Sequence, residues 1–194
     1  MSVSEPPVSP RMEPAPVSAG AVRIVALGGM GEMGNNCLLL EQDGPDGLER
    51  LMVDCGASFP HDDYGVDVIQ PQLDYALAGS LPKVVLTHGH EDHIGGLPYL
   101  LEGLASGEVI DVWASRHARA LVERRLEEHS RLADRVRLHT LAPGDTLAIG
   151  GFGVEPIAMT HSIPEAVALA VQTAAGLVVH SGDFKLDEEP RDGR

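Results

Sequence analysis

Residues 87–93 read Thr-His-Gly-His-Glu-Asp-His. They follow directly on Lys83-Val84-Val85-Leu86, an apolar run with the β-branched content of a short buried strand. Four potential metal ligands, His88, His90, Asp92 and His93, fall within six residues. A strand end followed by a tight turn aims such side chains into one small volume. Imidazole with carboxylate is also a donor set that zinc accepts in catalytic sites. The whole chain holds nine histidines, so three in six positions is a concentration that a solvated polar loop does not explain.

One loop cannot fill the shells of two metal ions, so the reading requires further His or Asp at other strand ends. Asp54 ends the run LMVD, His161 ends IAMTH, and Asp183 follows LVVHSG. In an α/β sheet the strand ends along one edge converge, and ligands gathered there meet in space. Taken singly, each of the three is equally a turn, a cap or a satisfied histidine. Taken with the loop, they make a site.

The rest of the chain alternates short apolar runs with turn-forming stretches. VRIVAL, CLLLEQ and LERLMVDC read as strands, the last two joined by a hairpin loop over Asp43 to Gly47. A helix is expected around Leu73 to Ala78, a helical turn or two in IGGLPYLLEG, and a strand in VIDVWA. Ser115 is placed to cap a helix over RHARALVERRLEEHSRLA, in which Ala118, Leu121, Val122 and Leu126 share one face. RVRLHT, DTLAI, VEPIAM, AVALAVQT and LVVHS then read as short strands. The class is α/β, rich in strands and partly antiparallel. Residues 1–20 hold five prolines and few large apolar groups, so a flexible tail is expected there.

GGMGEMG, residues 28–34, contains a formal G-x-G-x-x-G. A dinucleotide fingerprint needs a helix directly after the glycines and an acid about 20 positions on. Asp54 suits the second requirement. The Gly-Pro-Asp-Gly turn at 44–47 leaves no room for the first, so nucleotide binding is set aside.

A length of 194 residues with 43% hydrophobic content fits one soluble domain. No apolar run is long enough to span a membrane and no secretion signal is legible, so a cytoplasmic, non-membrane protein is expected. Cys37 and Cys55, inside apolar runs, read as buried free thiols. The formal net charge of −15 argues against a nucleic-acid partner unless the site supplies its own positive charge.

The pattern H-x-H-x-D-H, with Asp54 before it and His161 and Asp183 after it, resembles the metallo-β-lactamase fold. GGMGEMGNN, THGHEDHIGGLPYLL, THSIPE and HSGDFKLDEEP narrow the likeness to the ribonuclease J family of β-CASP nucleases, over roughly residues 22–194. The resemblance implies an αββα sandwich. Residues 21–194 would be the N-terminal part of its metallo-β-lactamase domain, with the β-CASP insertion, a last histidine ligand and a C-terminal dimerisation domain outside the chain. One sheet face would then stay uncovered.

The resemblance also implies a ligand set. His88, His90 and His161 would hold one zinc, Asp92 and His93 the second, and Asp183 would bridge. Asp54 would orient the ligands from behind, and manganese is an alternative metal. Two such ions lower the pKa of a shared water and clamp the oxygens of a phosphodiester, with Asp92 and Asp183 as the carboxylates able to take its proton. They also bring positive charge to where phosphate lands.

The activity implied is endonucleolytic and 5′ to 3′ exonucleolytic cleavage of RNA by a homo-oligomer. A small thiolester or lactone hydrolase on the same scaffold, or an inactive fragment that binds a partner, are the alternatives. Ser162 and His180 are candidate substrate contacts, and Glu32 and Asn35 candidate lining of the cleft. His61, His117, His129 and His139 are read as solvent-facing or structural.

Overall fold

The computed structural model describes residues 13–60 and 65–187. Val22–Gly28 (β1), Cys37–Gly44 (β2) and Gly47–Val53 (β3) form an antiparallel meander. Pairing of β2 with β3 runs to Gly44↔Gly47, so Pro45 and Asp46 alone make the turn. A strand therefore follows the glycine segment where a nucleotide fold would need a helix. β3 pairs in parallel with Lys83–Val85 (β4), which continues through Ile110–Ala114 (β5) to Val136–Thr140 (β6). The six strands lie in chain order.

Leu147–Ile149 (β7), Phe152–Ala158 (β8), Val167–Thr173 (β9) and Gly176–His180 (β10) form a second, antiparallel sheet. Side-chain alternation sorts the core into two layers. Leu39, Met52, Val84, Leu86 and Val112 of the first sheet face the helices Leu73–Ala76 (α1), Glu91–Ile94 (α2), Leu97–Glu102 (α3) and Arg116–Glu128 (α4). Leu40, Leu51, Val53 and Val85 point the other way, into Phe152, Val154, Leu169 and Val171 of the second sheet. The order is helices, sheet, sheet. On the outer face of the second sheet Ile157, Leu177 and Val179 are exposed.

One local expectation needs correction. The helix after Ser115 stops at Glu128, and Ser130–Arg135 is a 3-10 helix, because His129 leaves helical geometry at φ −121°. IGGLPYLLEG is interrupted at Gly95-Gly96. The metal loop itself contains a helical turn, α2, with His90 extended at its N-cap. Residues 1–12 of the expected tail, His61 and the stretch 188–194 lie outside the described residues. Residues 13–20 carry no regular structure, yet Ala15 accepts a hydrogen bond from Arg23 Nη2 at 2.7 Å.

Candidate metal centre

The side chains in question lie at the ends of four strands. Asp54 follows β3, His88 lies just past β4, His161 follows β8 and Asp183 follows β10. β8 and β10 run in the same direction, each antiparallel to β9, so their ends share one edge of the second sheet. A hydrogen bond from Val167 N to Thr87 O, 3.0 Å, ties that edge to the first sheet.

Backbone contacts hold the metal loop. The carbonyls of Glu91, Asp92 and His93 accept from the amides of Ala57, Asn36 and Cys55 at 2.9–3.1 Å. The chain passes so close here that a Cβ on Gly56 would collide with the Asp92 carbonyl oxygen. On the other side, Gly182 turns the chain at φ +56° to present Asp183.

Two groups of ligand atoms result. Those of His88, His90 and His161 lie within 4.8 Å of one another, as do those of His88, His93 and Asp183. In the first group, His90 Nδ1 is 3.0 Å from His88 Nε2 and 3.2 Å from His161 Nε2. Nitrogens bound tetrahedrally to one zinc stand about 3.3 Å apart, so the three rings fit a single ion. One imidazole nitrogen serves one metal, which leaves His93 and the carboxylates for a second ion. Asp183 Oδ1 is 3.5 Å from His93 Nε2, and its Oδ2 is 3.7 Å from His161 Nε2. The two oxygens of one carboxylate thus face the two groups. Asp92 Oδ2 adds a contact of 3.6 Å to His93 Nε2.

Hydrogen bonds behind the rings fix their protons. Asp54, 1% exposed, accepts from Thr87 N at 2.7 Å and from Thr87 Oγ1 at 2.8 Å. The hydroxyl has one proton and gives it to Asp54, so toward His88 Nδ1, 3.0 Å away, it acts as acceptor. His88 then carries its proton on Nδ1 and turns a bare Nε2 to the cleft. His93 does the same, with Nδ1 at 2.8 Å from Asp54 Oδ2. Burial alone would raise the pKa of Asp54, but His93 and the Thr87 amide outweigh it and hold the carboxyl below its usual range. Burial likewise opposes charge on His93, and there Asp54, Asp92 and Asp183 prevail, raising its pKa. His88, fully buried and next to His93, is pushed down to about 3 and stays neutral. His161 is lowered, chiefly by burial.

Residues 49–192 match the beta-lactamase superfamily domain. The chain belongs to that superfamily. Ribonuclease J of Mycobacterium tuberculosis is 39% identical over all of this chain, which corresponds to 32% of that protein. Ribonuclease J of Synechocystis is 41% identical over 89% of this chain and 26% of its own length, and that of Thermus thermophilus 38% over 89% and 30%. The chain thus spans about a third or less of these relatives. Among solved structures, the metallo-beta-lactamase fold protein YhfI from Bacillus subtilis superposes with a TM-score of 0.59 at 16% identity, covering 87% of this chain and 65% of that one. Unliganded yeast PDE1 gives 0.55 at 16%, covering 87% and 66%. Both likenesses speak to the fold.

Within this superfamily member the structure also separates the lesser candidates. Glu32 is exposed and receives the Gly29 amide in its own loop, while Asn35 is buried with an unpartnered Oδ1. The neighbour reaches the centre instead. Asn36 Nδ2 lies 3.0 Å from His93 Nε2 and 3.3 Å from Asp92 Oδ2. Thr87 and Asn36, which the sequence reading does not single out, are brought by the fold into contact with the candidate ligands. Ser162 is exposed beside His161. His180 accepts the Gly182 amide on Nδ1 at 3.1 Å and so shapes the turn before Asp183. His139 is structural, bonded to Asp111 at 2.8 Å and stacked on Trp113. Cys37 and Cys55 are buried free thiols. Among the described residues, no helix is long and apolar enough to cross a membrane.

Proposed function

We propose that this chain carries the metal-binding part of a zinc- or manganese-dependent ribonuclease of the J type. The observation behind the reading is the pair of adjoining ligand groups, with one oxygen of Asp183 against His93 and the other against His161. Sequence likeness to ribonuclease J proteins supports RNA as the substrate.

His88, His90 and His161 would hold one ion and His93 and Asp92 the other, with Asp183 available to both. A bound pair of such ions brings the pKa of water toward neutrality and stabilises charge on phosphoryl oxygens. Asp54 and Thr87 keep the protons of His93 and His88 on the nitrogens that face away from the cleft. The side chains of Asp92 and Asp183, 36% and 44% exposed, are open to solvent and are the groups placed to take a proton from an attacking water. Ser162 and His180 are the candidates for contact with substrate phosphate.

The test uses 5′-monophosphorylated single-stranded RNA and a small thiolester, each with zinc or manganese and then with chelator. Metal-dependent cleavage of the RNA alone, abolished by His90→Ala and Asp183→Asn, is the expected result. Hydrolysis of the thiolester alone, or RNA cleavage that survives the chelator, would overturn the reading.

A further inference from the structure

We infer that Glu165 is a positioning residue for His161. The inference rests on the metal centre proposed above and extends it to a side chain outside the ligand set.

His161 sits in the loop between β8 and β9. The loop is closed at its base by Met159 N to Ala166 O, 2.9 Å, and Thr160 O accepts from Lys185 N at 2.8 Å. Residues 161–164 belong to no helix or strand, and the chain there is held only by a turn over 164–165. A ligand on such a segment needs another anchor if its ring is to stay fixed.

Glu165 supplies one. Its Oε2 accepts the backbone amide of His117 at 2.9 Å, at the first turn of α4. That turn has its own cap in Ser115, whose hydroxyl accepts from Ala118 N at 3.3 Å. The carboxylate of Glu165 takes a second amide of the same turn, where negative charge is favoured. Glu165 holds φ +59°, a left-handed backbone that is strained for a residue with a Cβ. The chain keeps this conformation at a position where glycine would be relaxed, and it is the conformation from which the carboxylate reaches α4.

The contact has a direct line to the metal loop. A Cβ on Gly89, between His88 and His90, would meet Leu121 and Ala118 of α4 and Ile163 of the His161 loop. α4, the metal loop and the His161 loop therefore abut at one point. Glu165 fixes the third to the first, four residues from the His161 ring.

Zinc affinity of the 194-residue chain, read by competition with a chromophoric chelator, tests this. Glu165→Ala is expected to weaken zinc binding at the His88, His90 and His161 group about tenfold, the lower end of what supporting contacts to ligands contribute. Glu165→Gly must do the same with a relaxed backbone, which excludes strain as the cause. Glu165→Gln keeps an acceptor oxygen and should restore affinity to within about threefold of wild type. In a His161→Ala background, Glu165→Ala should cost nothing more, because the residue acts through that ring. Wild-type affinity in Glu165→Ala, or an additive loss in the double variant, overturns the inference. A wild-type chain that binds no zinc, or a His161→Ala chain that binds it as wild type does, overturns the metal centre and the inference with it.

Discussion

His93 Nδ1 lies 2.8 Å from Asp54 Oδ2, and this contact decides which nitrogen of the ring faces the cleft. An ionised carboxylate only accepts, so the proton stays on Nδ1 and Nε2 keeps its lone pair for a metal. Asp54 holds its place at φ +61°, with Thr87 donating to both of its oxygens.

Asp54→Asn should therefore bind zinc at the second site ten- to a hundredfold more weakly than wild type while remaining folded. The amide can donate to Nδ1 and so move the ring proton to Nε2, the wrong nitrogen. Competition titration measures the loss, and an unchanged second-site affinity would show that the tautomer is set elsewhere.

Thr87 does the equivalent for His88. Thr87→Val keeps the volume and removes the acceptor facing His88 Nδ1, so first-site affinity should fall roughly tenfold. Thr87→Ser keeps the hydroxyl and should stay near wild type. A loss in Thr87→Ser with wild-type affinity in Thr87→Val would instead assign the effect to packing of the Thr87 methyl group.

How much of this was legible beforehand depends on where the information lies. Asp54, the 88–93 loop, His161 and Asp183 each end an apolar run, and the rule that strand ends converge places them together without coordinates. The sandwich followed from resemblance more than from pattern, since alternation alone does not say which strands share a sheet. Asn36 was missed in favour of Asn35. The choice between them is made by the irregular β1–β2 pairing between Ala26 and Gly28 and by the left-handed backbone of Asn35, φ 56°. No local sequence signal carries either. Glu165 is hidden for a similar reason, because its partner lies 48 residues away on α4.

Acid should act on the metal-free chain through His88. Its folded pKa, about 3, lies below the ordinary 6.5 because burial and the His93 charge disfavour the imidazolium. Between these values the unfolded chain binds a proton that the folded chain refuses, so stability falls as pH drops from 6.5 toward 3 and is insensitive to His88 above 6.5. His93, with a raised pKa, contributes in the opposite sense, stabilising at low pH and losing effect as pH rises through its folded value. The stability difference between wild type and His88→Gln isolates the first group. Urea titrations should show it shifting against wild type below pH 6.5, and a constant difference down to pH 4 would mean that His88 titrates normally.

Far from the centre, Glu41 offers a test of fold without site. It is fully buried and accepts from Arg23 Nε at 2.6 Å, Arg50 Nε at 2.9 Å and the Tyr75 hydroxyl at 3.0 Å. Arg50, itself buried, spends its remaining donors on the carbonyls of Tyr75, Ala76, Ala78 and Ser80, which pins α1 and the chain after it to the sheet. Removing the carboxylate charge leaves a guanidinium desolvated without its counterion, a change that costs about 3–5 kcal/mol at buried pairs. Glu41→Gln should accordingly lower the urea midpoint strongly. Arg50 lies at the middle of β3, four residues or roughly 13 Å along the strand from Asp54, so the zinc affinity of the folded fraction should not change. A variant that lost zinc affinity while keeping the wild-type midpoint would show that this network supports the metal centre instead of the fold.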